Sequence, residues 1–168
     1  RIYIKCLFFR KYKMIMTKTE IQEKIINTII ENNCRGIVLS SVRSGKTRIL
    51  LKTIERYFKN KNPKVLVLYP NIDIKSSWEK ECDIIDYFPD ITYCTFASMS
   101  KILNYFPDEK NEWDYIIVDE AHLLGEENQL PLAGKLAQNT KHIIFASGTY
   151  NRDTLSDIKF YTKLDLIV

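Results

Sequence analysis

Two short clusters in this chain hold the residues best able to do chemistry. Gly45-Lys46-Thr47 puts a permissive backbone unit, a cation and a hydroxyl in consecutive positions. It falls where the apolar run Gly36-Ile37-Val38-Leu39 gives way to a helical pattern. A loop between strand and helix offers backbone N–H groups and a helix N-terminus to an anion. There Lys46 would reach the β- and γ-phosphates of a nucleotide, and the Thr47 hydroxyl would hold magnesium. The strict phosphate-loop pattern GxxxxGKS/T has glycine five positions before Gly45, where this chain has Ser40. Taken alone, the tripeptide also fits an ordinary helix start with a surface lysine.

The second cluster is Val118-Asp119-Glu120-Ala121-His122. It follows the apolar run 115–118, so Asp119 would leave the same carboxyl edge of a sheet as the phosphate loop. A carboxylate there completes a magnesium shell, and an adjacent one orients or deprotonates a water for in-line attack on the γ-phosphorus. Two adjacent acids at the end of an apolar strand are costly unless a cation or hydrogen bonds compensate them. Two clusters in this order, each after a buried strand, point to nucleoside-triphosphate chemistry together more strongly than either does alone.

The elements that must position these residues are legible as periodicity. Residues 20–32 carry Ile21, Ile25, Ile26, Ile29 and Ile30 at three- and four-residue steps, an amphipathic helix. Residues 47–59 read as a second helix, with Ile49, Leu50, Ile54, Tyr57 and Phe58 apolar. Residues 65–69 form a continuous apolar strand stopped by Pro70, followed by a helix over 74–85. Further strands are expected at 91–96, 115–118 and 143–146, with helices at 98–105 and 130–138. Apolar strands alternating with helices predict an α/β fold: a mostly parallel sheet covered by helices on both faces. Ligands in such folds sit at the carboxyl ends of the strands.

Composition bounds what else the chain could be. Its 168 residues suit one domain, and 45% hydrophobic content excludes disorder for most of it. The net charge is +4, but the first nineteen residues hold six basic residues and no acid, leaving 19 basic against 21 acidic residues in the remainder. Residues 1–17 read as a basic arm and 18–168 as one folded unit. The apolar stretch near the start is too short to span a bilayer and has no cleavage signature, so an intracellular, non-membrane protein is expected. Cys6, Cys34, Cys82 and Cys94 are widely spaced, and with His122 and His142 they form no zinc pattern. Reduced, partly buried thiols are the expectation.

The residues Asp119, Glu120, Ala121 and His122, together with Gly45-Lys46-Thr47, resemble the first RecA-like P-loop NTPase domain of superfamily 2 helicases and translocases, in the DEAH-type branch. The resemblance spans about residues 18–168. It implies ATP and Mg²⁺ as ligands, with Ser44, Gly45, Lys46, Thr47 and Arg48 at the nucleotide and Gln22 reading the adenine edge. It implies Thr47 and Asp119 at the metal, and Glu120, Asp119 and Lys46 in catalysis. Ser147-Gly148-Thr149 resembles motif III, so Ser147 and Thr149 would couple hydrolysis to nucleic-acid handling, with His122 contacting them. Leu68-Tyr69-Pro70-Asn71, with Trp78 and Glu81 downstream, resembles motif Ia. Thr95-Phe96-Ala97-Ser98-Met99 resembles the following phosphate-gripping motif. Asn71, Thr95 and Ser98 would then donate to the backbone of DNA or RNA without reading bases. From the residues alone each also reads as a turn or cap, and Trp78 as core.

The chain departs from this pattern at Ser40, at Arg43, which offers a cation to a phosphate or to a partner's acid, and at Gly148 and Tyr150. The motifs in these residues are those of the first RecA-like domain, so the resemblance implies a second one, with its arginine finger, as a partner in cis or trans. Three functions are compatible with the residues. The leading one is a motor ATPase of the helicase type, slow without its second domain. An inert helicase-like module that binds nucleotide or a partner comes next. A P-loop kinase or GTPase ranks third, since no guanine signature is visible and Asp119-Glu120 followed by His122 suits hydrolysis.

Overall fold

The computed structural model describes residues 16–41, 43–59, 61–71, 73–105, 113–125, 127–149 and 152–168. The first helix, α1 (Lys18–Glu31), starts where Thr17 and Glu20 cap one another. The Glu20 N–H donates to Thr17 Oγ1 at 3.2 Å and the Thr17 N–H donates to Glu20 Oε2 at 2.6 Å, a reciprocal capping box. These bonds hold the Glu20 carboxyl below its ordinary pKa. The chain leaves α1 through two left-handed residues, Asn33 and Cys34, and enters β1 (Arg35–Leu39). Then follow α2 (Lys46–Phe58), β2 (Lys64–Tyr69), α3 (Asp73–Ile85), β3 (Asp90–Thr95), α4 (Met99–Tyr105), β4 (Tyr115–Val118), α5 (Gln129–Asn139), β5 (Ile143–Ser147) and α6 (Arg152–Thr162).

The five strands form one sheet in the order β1-β5-β4-β2-β3, and every pairing is parallel. Alternate side chains of each strand serve opposite faces. Val38, Val65, Val67, Ile117 and Ile144 pack under α1, α2 and α3, joined by Ile26, Ile29, Leu50, Ile54 and Trp78. Ile37, Leu66, Leu68, Ile116, Val118 and Phe145 pack on the other face with Leu130, Ala133 and Ala137 of α5 and Ile158 of α6. The expected α/β architecture with helices on both faces is what the chain adopts. Most of its sheet residues are fully buried, which is why four of the five strands read as uninterrupted apolar runs.

Two elements depart from the sequence reading. β3 is an edge strand, and its DITYCT alternates between exposed and covered positions, so it is not apolar throughout. The helix expected over 98–105 is present as α4, preceded by a 3-10 turn at Phe96–Ser98. Helix α6 was not anticipated; it docks on α5 where Gly134 lies so close that a Cβ would sit 2.6 Å from the Tyr161 carbonyl oxygen. The C-terminal residues 164–168 also run beside β1, with the Ile37 N–H donating to Asp165 O at 2.9 Å and the Leu39 N–H to Val168 O at 2.7 Å. The basic arm falls almost wholly in residues 1–15, outside the described residues. No helix among the described residues is long and apolar enough to cross a membrane.

Candidate nucleotide-binding site

The parallel sheet brings the ends of β1, β5 and β4 to one edge, and both sequence clusters emerge there. The β1 end leads into a loop whose Ser44 N–H donates to Ser41 O at 3.0 Å. Arg43 has φ 68°, Gly45 has φ 84°, and Lys46 opens α2. Gly45 is favoured by its left-handed backbone, and a Cβ there would push aside the end of the Gln22 side chain, whose Nε2 would lie 2.4 Å away. Gln22 reaches across from α1 and its Nε2 donates to Ser44 O at 2.7 Å. In this structure Gln22 fastens the loop.

Lys46 and the acidic pair meet directly. Lys46 Nζ lies 2.9 Å from Asp119 Oδ1 and 2.5 Å from Glu120 Oε1, with only 13% of the lysine side chain exposed. The acids that the sequence marked as needing compensation are thus paired with the lysine of the phosphate loop. Asp119 is 3% exposed. Its Oδ1 also accepts from the Glu120 N–H at 2.9 Å, and its Oδ2 accepts from Trp78 Nε1 at 3.0 Å. Glu120 adopts a left-handed backbone, φ 52°, a conformation a non-glycine residue holds at the expense of roughly 1–2 kcal/mol.

The remaining predicted residues divide into two groups. His122 Nδ1 sits 2.9 Å from Ser147 Oγ at the end of β5, and Ser147 Oγ donates to Thr149 O at 2.8 Å. Both belong to the site, and His122 also lies 3.5 Å from Glu120. Ser41, Arg43, Ser44, Lys46, Glu120, His122 and Thr149 line one cleft of about 270 Å³. Arg48 is drawn away: its guanidinium pairs with Glu81 of α3. At the β2 and β3 ends, the Asn71 carboxamide oxygen accepts from the Asp73 N–H at 3.2 Å, and Thr95 Oγ1 donates to Ser98 Oγ at 3.2 Å. These three stand on the same sheet edge without reaching the cleft.

Magnesium and a nucleoside triphosphate are the ligands the fold implies, and the residues present fit them. Ser40 Oγ and Ser44 Oγ are buried beneath the loop without a hydrogen-bond partner, donors that the protein itself leaves unused. The Thr47 hydroxyl has no partner among the described residues, and two carboxylates lie on the other side of Lys46. Magnesium is ordinarily held by one or two carboxylates completed by phosphates and water. Trp78 is buried in the core, and its bond to Asp119 is a contact that sequence reasoning missed. Its apolar neighbours marked it as core, and its indole N–H toward a residue 41 positions away leaves no local signal.

Residues 36–162 match the family model described as thymidine kinase, about three quarters of the chain. By that match the chain belongs to the thymidine kinase family. No curated protein matches the sequence. Among solved structures the chain is similar to the Hef helicase domain of Pyrococcus furiosus, with TM-score 0.68 and 13% identity, covering 87% of this chain and 37% of that one. It is also similar to the UvsW helicase of bacteriophage T4, with TM-score 0.65, 14% identity and coverage of 88% and 58%. The SWI2/SNF2 ATPase core of Sulfolobus solfataricus, solved in complex with dsDNA, gives TM-score 0.61, 22% identity and coverage of 84% and 34%. The chain therefore spans about a third to three fifths of these structures. Their likeness establishes a helicase-like RecA fold, and the family match places the chain among P-loop nucleotide-using proteins. That match falls on the kinase reading, which the residues alone ranked third.

Proposed function

We propose that this chain is the ATP-hydrolysing domain of a DEAH-type nucleic-acid motor. One observation carries the reading: Lys46, Asp119, Glu120 and, through His122, Ser147 are joined by contacts between the ends of three strands, at a cleft lined by Lys46, Glu120 and His122. A site that only binds nucleotide, or passes phosphate to a small acceptor, has no evident use for a histidine tying the acidic pair to the end of β5.

In the resting arrangement Lys46 neutralises both acids. Lys46 would meet the β- and γ-phosphates of ATP, and Asp119 and Thr47 would be the residues that hold magnesium. Bound magnesium supplies charge neutralisation of the phosphates. Glu120, released from Lys46, orients a water and accepts its proton. Ser44 and Gly45 offer backbone N–H groups to the phosphates, and Gln22 is placed to couple base occupancy to the loop it fastens. Asn71, Thr95 and Ser98 give a second, backbone-binding surface for DNA or RNA. A second RecA-like domain, in cis or trans, supplies the missing cation. Such a residue is worth about 10³–10⁵ in rate, so the chain alone binds ATP and turns it over slowly.

The family match supports a second reading, transfer of the γ-phosphoryl group to a nucleoside. Incubating the chain with γ-labelled ATP, with and without single-stranded nucleic acid and with thymidine, separates the two. Slow label release to water, raised by nucleic acid, is expected. Label appearing on thymidine would establish the kinase instead. Hydrolysis by the chain alone at ordinary helicase rates would remove the requirement for a second domain.

A further inference from the structure

Asp119 has two carboxylate oxygens, and they face different worlds. Oδ1 faces the residues that line the cleft, meeting Lys46 Nζ at 2.9 Å and the Glu120 N–H at 2.9 Å. Oδ2 looks into the layer between sheet and α3, where the Trp78 indole N–H donates to it at 3.0 Å. Trp78 is fully buried and belongs to the cluster under the sheet formed with Val67, Tyr69 and Cys82, so its ring is fixed by packing. The Asp119 backbone is fixed as well, its N–H donating to Leu68 O at 2.8 Å. The side chain is left its own torsions, and the indole bond to Oδ2 together with the contacts on Oδ1 sets the orientation of the carboxylate.

We propose that Trp78 is a positioning residue for magnesium: its N–H holds Asp119 Oδ2 away from the cleft and presents Oδ1 alone as the metal-facing oxygen. The inference rests on the reading of Asp119 as a metal-binding carboxylate. An aliphatic residue would fill the same core space, but it would leave a buried carboxylate oxygen without a donor and the carboxylate free to turn. A neutral donor suits this position better than a cation. It fixes direction while leaving the carboxylate's charge to Lys46 and to the metal.

The chain has two tryptophans, so Trp113→Phe leaves Trp78 as the sole indole reporter. In that background, Mg²⁺ is titrated at saturating non-hydrolysable ATP analogue while indole emission is followed. Emission is expected to change as magnesium displaces Lys46 from Asp119. Trp78→Phe, and replacement of Trp78 by benzothienylalanine, which keeps the ring shape and deletes the N–H, are compared by the Mg²⁺ dependence of labelled-analogue binding. Loss of an outer-shell partner typically lowers metal affinity 10–100-fold, so the half-saturating Mg²⁺ concentration should rise at least 10-fold in both, with metal-free nucleotide affinity unchanged. If Trp78→Phe does not fold, the benzothienyl protein decides. An unchanged Mg²⁺ midpoint in a folded variant would reduce Trp78 to packing. Analogue binding that is indifferent to Mg²⁺ in the unmodified chain would instead overturn the metal role of Asp119, and the positioning role with it.

Discussion

The two ends of the sheet's carboxyl edge are built differently. At the β1, β5 and β4 ends, polar side chains bind partners far away in sequence: Gln22 to the phosphate loop, Lys46 to Asp119 and Glu120, His122 to Ser147, Trp78 to Asp119. At the β2 and β3 ends, Asn71 and the Thr95–Ser98 pair satisfy neighbours two or three residues away. Long-range contacts fix a geometry before a ligand arrives, whereas local ones hold a turn and can be exchanged for a phosphate at small expense. Under the proposed function, the first end would serve chemistry at fixed distances, and the second would grip and release a strand.

The contrast is breakable by substitution. Glu120→Gln removes the proposed base and should lower turnover by about 10²–10⁴-fold with ATP binding retained, read by single-turnover hydrolysis. Equal loss of binding would show that Glu120 is only a counter-ion to Lys46. His122→Ala should leave basal hydrolysis within a few-fold but lower stimulation by nucleic acid by about 5–150-fold, the range of ordinary coupling energies. Stimulation that survives would detach the histidine from coupling. At the other end, Thr95→Ala and Ser98→Ala should each weaken nucleic-acid binding about 5-fold, one net hydrogen bond, without moving the affinity for Mg²⁺–ATP. A change in both affinities would erase the division between the two ends.

The smallest expected effect lies in the core beneath both. Burial pushes the Cys34 thiol up from its ordinary value of 9.0 to about 12. Below pH 9 both folded and unfolded chains hold the proton, and the contribution to stability is complete. As pH rises from 9 toward 12, only the unfolded chain ionises and stability falls. Cys34→Ala should flatten this alkaline slope in denaturant titrations, and an unaltered slope would assign it to other groups.

What could be read from the sequence follows the same division. Strands β1, β2, β4 and β5 were legible because burial on both faces demands continuous apolar runs, and Lys46, Asp119 and Glu120 because their chemistry needs short, ordered spacing. Edge strand β3 and helix α6 were harder. β3 has a half-solvated face, and α6 owes its place to the close approach of Gly134 and Tyr161, which no local pattern announces. Arg48 illustrates the limit from the other side. It follows Thr47 directly, yet helical geometry turns it toward Glu81 on α3 instead of toward the cleft.

The backbone bonds between residues 164–168 and β1 have a mechanical meaning. The two segments run parallel, and their hydrogen bonds lie across the direction of the strands. Tension applied along the C-terminal segment would load those bonds together in shear, passing first into the strand that ends at the phosphate loop. A pull on that tail would thus arrive at Ser40 and Lys46 before it reached the rest of the sheet.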